Sequence, residues 1–231
     1  LWVKEHSLRQ SLQSIAQAAV NSGYYDVDGN LYSRIGQYSW MGESKWGNIF
    51  PCNLDPKIPN GKGRFNSDVY LATGLREMEA AGGRYDGIGL DSLGSYGQQR
   101  ANYRREHFKY GSIPLTFSNL EHVPVQAANF TTLEWMRELA QDMHSQGKVL
   151  MANCSWGSTS TPAWLTFAGV YLDIFGAEAT QFGDPDFIRA IAYRKPCTDL
   201  PYDPRPDWEV AWHLLHGIYP GYGNKVEVMQ R

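Results

Sequence analysis

The chain has 231 residues and a net charge of −3, with 42% hydrophobic and 19% charged side chains, an ordinary globular composition. No run of lysine and arginine exceeds two residues and no apolar stretch nears the ~20 residues that span a bilayer, so no nucleic acid and no membrane is expected as a partner. Aromatic content is the unusual figure: 13%, with 8 Trp and 14 Tyr, many of them in turn-rich sequence.

Leu8, Leu12, Ile15, Ala16 and Ala19 recur at helical spacing, and Gly23 follows as a stop. "YYDVDGNLYSR" then reads as a hairpin turning on Asp28-Gly29. Its acidic core resembles part of a calcium loop, but Leu31 stands where such a loop needs glycine. Residues 36–65, rich in Trp, Gly and Pro, predict a long functional loop. A helix is expected over 67–81, closed by Gly82-Gly83, and then the strand "RYDGIGLD". "QQRANYRREHFKYG", 98–111, predicts a charged helix. Thr131 and Glu134 read as a capping box for a helix with Leu133, Met136, Leu139, Ala140 and Met143 on one face, ending at Gly147. "KVLMANCSW" predicts the next strand, and "AGVYLD" another that ends on Asp173. A helix near 186–191, the segment "IAYRKP", a Trp-rich helix over 207–216 and "GIYPGYG" complete the chain. No proline- or serine-rich linker divides it, so residues 1–231 are expected to form a single catalytic-type domain.

Apolar strands alternating with helices predict a parallel α/β architecture. "GLDSLGSYG" lacks the glycine spacing of a nucleotide-binding turn, which removes that form of open doubly wound sheet. The expectation is therefore a (β/α)8 TIM-type barrel, partial or a fragment of a larger chain, because four or five βα units fall short of eight.

Barrel enzymes place their chemistry at the carboxyl ends of strands, where Asp91, Asn153 and Asp173 are expected. Alternation sends Gly87, Gly89 and Asp91 to one face, leaving room beneath the carboxylate. Read alone, Asp91 could equally cap a helix or bind a loop. "YLDIFGAEAT" adds Asp173 and Glu178, and two carboxyl groups on separate strand tips are what glycosidic cleavage needs. One protonates the leaving oxygen while the other attacks the anomeric carbon or activates water.

This succession of motifs resembles (β/α)8 glycoside hydrolases, nearest the endo-α-galactosaminidase type, glycoside hydrolase family 114. The residues that carry the resemblance are Asp86-Gly87-Ile88-Gly89-Leu90-Asp91, then Met151-Ala152-Asn153, then Asp173-Ile174-Phe175-Gly176-Ala177-Glu178. It implies Asp91 as nucleophile or charge stabiliser and Glu178 as acid/base, with Asp173 in reserve for the second role. Serine follows Asp91 where those enzymes commonly have asparagine.

Trp40, Trp46, Tyr96 and Trp156 are candidate sugar platforms, since rings stack on the CH faces of sugars. Each is as readily a core residue. Asn153 suits a sugar hydroxyl, a carboxylate or a satisfied core amide. Lys195, beside Arg194, suits an acidic or sulfated sugar, or a surface salt bridge. His213 and His216 lie three apart on the Trp-rich helix and read as packing residues. Cys52, Cys154 and Cys197 form no zinc spacing, and no G-x-S-x-G is present. The expected function is a glycosidase acting on a carbohydrate substrate without a cofactor, extracellular or periplasmic. The alternative is a non-catalytic sugar-binding protein.

Overall fold

The computed structural model describes residues 10–37, 46–93, 101–153, 167–178, 185–200 and 207–220. Its strands are β1 (Arg34–Gln37), β2 (Trp46–Ile49), β3 (Gly87–Leu90), β4 (Ala101–Asn102), β5 (Thr116–Phe117), β6 (Pro124–Ala127), β7 (Val149–Asn153), β8 (Ile174–Glu178), β9 (Cys197–Leu200) and β10 (Ile218–Pro220). Contacts gather into two compact units: residues 1–84 with 96–139, and residues 85–95 with 140–231. Among the described residues no helix is long and apolar enough to cross a membrane.

In the first unit the opening helix spans Gln10–Ser22 and stops where the glycine was expected to stop it. The Gly23 N–H donates to Ala19 O at 2.7 Å. A Cβ on Gly23 would run into Leu31 Cδ1, the residue brought back by the turn between them. That turn is as predicted: Tyr25 bridges Leu31 antiparallel, and Gly29 takes φ +81°. Asp26 Oδ1 accepts the Asp28 and Asn30 N–H groups at 3.0 and 2.8 Å, so this oxygen closes the turn.

The next helix is longer than expected. Lys62–Arg64, a π-helical Phe65–Leu71 and Ala72–Ala80 run on without a break. Gly82 at φ +80° ends it, and the Gly83 N–H returns to Met78 O at 2.9 Å. The charged helix predicted over 98–111 is corrected: residues 101–111 carry β4 and a 3-10 turn at Arg105–His107.

Tertiary hydrogen bonds override helical propensity there. The fully buried Asn102 side chain donates to Gln126 Oε1 at 3.0 Å and its Oδ1 accepts the Tyr25 and Arg104 N–H groups. His107, also buried, hydrogen-bonds Asn21 O through Nε2 at 2.9 Å and Asn102 Nδ2 through Nδ1 at 3.3 Å, which fixes a neutral ring. Burial, helped by the Arg104 charge, pushes its pKa down to about 4. Antiparallel pairs β1–β2 and β4–β6–β5 complete this unit.

The Leu133–Ser145 helix buries the predicted face, Leu133, Met136, Leu139, Ala140 and Met143, together with Trp135. Gly147 at φ +68° ends it.

The second unit holds a five-stranded sheet in the order β10-β9-β8-β7-β3, every neighbouring pair parallel. Strand order follows chain order without a reversal. The predicted parallel α/β class is what this unit shows. Register sorts its side chains into two faces. Ile88, Leu150, Ala152, Phe175, Cys197, Asp199 and Ile218 share one face and are all buried. Helices cover that face. A Cβ on Gly169, in the helical turn 167–169, would touch the Phe175 ring. Arg189 of the Pro185–Ala192 helix reaches Cys197 Sγ at 3.4 Å. His213 of the Asp207–Leu215 helix reaches Asp199 Oδ2 at 2.7 Å, with both side chains buried.

The opposite face is more open: Gly89, Val149 and Tyr219 are exposed on it.

Candidate active site

Asp91 stands one residue past β3, at the carboxyl end of the sheet, and its side chain is exposed. A tight reversal follows. Ser92 takes φ +52°, a left-handed conformation that costs a non-glycine residue ~1–2 kcal/mol. Leu93 then turns back into the core and its N–H donates to Asn153 O at 2.9 Å. The neighbouring strand tip completes the arrangement. Asn153, buried at the end of β7, donates its Nδ2 to Asp91 Oδ1 at 3.0 Å. Backbone and side chain of one asparagine thus fix both the turn and the carboxylate. Of the uses weighed for Asn153, its burial and its bond to Asp91 fit both a carboxylate-orienting amide and a satisfied core amide.

Asp91 heads a row across the open face. Leu90 pairs with Ala152, so Asp91 lies beside Asn153. Asn153 pairs with Gly176, Gly176 with Thr198, and Thr198 with Tyr219. The middle of the row is small by necessity. A Cβ on Gly176 would sit 2.8 Å from Ala152 O and 2.8 Å from Met151 Cε, so glycine lets β8 approach β7. Gly87 is required likewise, since its Cβ would strike Val149 O. Gly89, directly below Asp91 on this face, leaves open space: a Cβ there would meet nothing within 4 Å. At the far end Tyr219 is 62% exposed, an aromatic surface level with the carboxylate.

Glu178 ends β8, two residues beyond Gly176 and at a register position on the same face. Strand spacing and rise put its Cα roughly 12 Å from that of Asp91.

Asp173 lies elsewhere, which corrects its expected place at a strand carboxyl end. β8 begins at Ile174, so Asp173 precedes the strand at its amino end. Its Oδ2 accepts the Leu150 N–H at 2.7 Å and faces His144 Nε2 at 2.8 Å, while its own N–H donates to Leu150 O at 2.7 Å. The carboxylate ties the start of β8 to the start of β7 and to the end of the preceding helix. Lys195 is at the same end, before β9. Its Nζ donates to Gly169 O and Leu172 O at 2.7 and 2.6 Å, holding the carbonyls at the end of the helical turn 167–169. These bonds account for the ammonium group, and it takes no part in the carboxyl-end row.

Trp46 belongs to the first unit, on β2 opposite Gln37, and is 67% exposed. Trp40, Tyr96 and Trp156 lie outside the described residues. His213 packs as expected, buried edge-on against Trp212, and its aspartate partner is on the helix-covered face. Thr198 and Tyr219 were missed by sequence reasoning. Their one signal was the exposed tyrosine in "GIYPGYG", which only strand register can align with Asp91.

Comparison with family models and with curated proteins gives no match for this chain.

Proposed function

We propose that the chain is a glycoside hydrolase built on an arc of a (β/α)8 barrel, with its chemistry at the tips of β3, β7 and β8. Parallel strands in chain order, with helices on one face, support the barrel reading. Right-handed crossovers place successive helices on one side of such a sheet, and the uncovered side is buried when the sheet curls closed. In that arrangement the open face of the row becomes the barrel interior.

The observation that carries the reading is the Asp91–Asn153 hydrogen bond at adjacent strand tips, set in the left-handed turn at Ser92. With Oδ1 engaged by the amide, Oδ2 is the oxygen that meets the oxocarbenium-like carbon, as nucleophile or as charge stabiliser. Glu178 protonates the leaving oxygen. A Cα spacing of roughly 12 Å lets the two carboxyl groups flank one bond in either the retaining or the inverting geometry. Tyr219, exposed at the far end of the row, offers a surface for the CH face of a sugar ring. The substrate class is a polysaccharide or glycoconjugate, met outside the cytoplasm.

The test is a polysaccharide panel with reducing-end detection, run on the unaltered chain, Asp91→Asn and Glu178→Gln, with glycan binding measured separately. Turnover in the unaltered chain that both variants lose supports the hydrolase. Glycan binding without turnover in the unaltered chain assigns the row to a non-catalytic sugar-binding protein instead.

A further inference from the structure

The first unit contains a second polar site, in the stretch 36–65 that the sequence marks as a functional loop. A cavity of about 20 Å³, room for one water-sized occupant, is lined by Asn53, Asp55, Gln126, Thr131, Glu134 and the 111–114 loop. Asp55 is 2% exposed. Its Oδ1 accepts the Lys57 N–H at 2.9 Å, and its own N–H donates to Asn53 Oδ1 at 2.9 Å. Its Oδ2 is fully buried and has no hydrogen-bond partner among the described residues.

The charges around it are mixed. Glu134 is paired with Arg137 at 2.8 Å and Glu138 with Arg64 at 3.2 Å. Both glutamates add negative potential at Asp55. Lys57, whose Nζ donates to Tyr110 O at 3.3 Å, acts on Asp55 in the opposite sense through its backbone N–H and its positive charge. Burial pushes the Asp55 carboxyl above the usual carboxylate range, against the Lys57 N–H and charge and with a smaller push from the two glutamates. A buried carboxylate oxygen without a partner is strongly unfavourable unless a positive or hydrogen-bonding occupant meets it.

We propose that this cavity binds one hard cation, with Asp55 Oδ2 as its anionic ligand. The occupant class follows from the donors. The lining supplies carboxylate, amide, hydroxyl and backbone oxygens and neither thiolate nor imidazole, which suits sodium, potassium, magnesium or calcium rather than zinc or copper. Among the described residues no group of three or more His, Cys, Asp or Glu side chains is poised for a metal, so the proposal rests on Asp55 Oδ2 and the cavity that it lines. Occupancy ties the segment around Asp55 to β6 and to the start of the Leu133–Ser145 helix, stabilising the first unit.

The experiment is thermal unfolding of the full chain and of Asp55→Asn, after chelation and then with each of the four cations at constant ionic strength. The expected result is a saturating rise of roughly 5 °C with at least one cation, absent in Asp55→Asn. Equilibrium dialysis of the unaltered chain then gives about one bound equivalent, which decides the matter even if the variant fails to fold. No bound cation, or a shift that Asp55→Asn keeps, overturns the proposal. So does an Asp55→Asn chain more stable than the unaltered one under every condition, the mark of a site that holds a proton.

Discussion

Asp91 and Asp173 occupy matching places in two similar sequence rhythms, Gly-Ile-Gly-Leu-Asp and Gly-Val-Tyr-Leu-Asp, yet they finish at opposite ends of one sheet. Asp173 is absorbed by structure: a backbone amide and an imidazole share its Oδ2, each within 2.8 Å. Asp91 has one amide partner on Oδ1, an exposed side chain, and a strained turn behind it. The contrast separates a carboxylate that locks strands from one left exposed at their tips. An apolar run followed by aspartate does not by itself say which.

Changes at the carboxyl end should therefore reduce turnover at little cost in stability, and changes at the amino end the reverse. With Asp91 left in place, the largest effect expected is from Glu178→Gln, a loss of roughly 10²–10⁴-fold in turnover with the unfolding midpoint unchanged, read by reducing-end release and thermal melting. A second effect separates the scaffold from the site by pH. His107 titrates near 6.5 when unfolded and is held down at about 4 when folded. Its contribution is complete above pH 6.5 and is lost as pH falls from there to 4, on the order of 3 kcal/mol. Denaturant titrations across that window should show the decline, and His107→Gln should flatten it.

Asp173→Ala should cost about 2 kcal/mol of stability through its charged hydrogen bonds and leave turnover per folded molecule intact. The smallest effect is expected from Asn153→Ala: a loss of about tenfold in turnover as Asp91 loses its orienting amide, with about 1 kcal/mol of stability. A melting curve beside the rate assay checks both quantities.

Several elements were legible because their signals are local. β3 and β7 are short apolar runs, and Gly23, Gly82 and Gly147 each end a helix by their own backbone freedom. β8 was misplaced by one rhythm too many. Ala168 and Leu172 are buried as strand residues would be, but residues 167–169 are helical and the strand starts only at Ile174. Apolar periodicity cannot separate those cases over so short a run.

β9 was not foreseen because it carries Asp199, a buried acid that meets His213, fourteen residues on. The same holds for Asn102 and His107, where long-range amide partners turn a helix-like sequence into a bridge and a single turn. At the site, Asp91 and Asn153 could be placed on strand tips from sequence, whereas Glu178 was expected beyond a strand ending at Asp173 and instead ends β8 itself. Thr198 and Tyr219 could not, because their alignment with Asp91 exists only through interstrand register.

The most direct test compares Asp91→Asn with Asp173→Asn on a polysaccharide that the unaltered chain degrades, with rates normalised to folded protein. Asp91→Asn should lose about 10³-fold or more, the scale of removing a charge that acts on the transition state, while Asp173→Asn stays within a few-fold of the unaltered chain. Full turnover in Asp91→Asn, or a collapse confined to Asp173→Asn, would contradict the account.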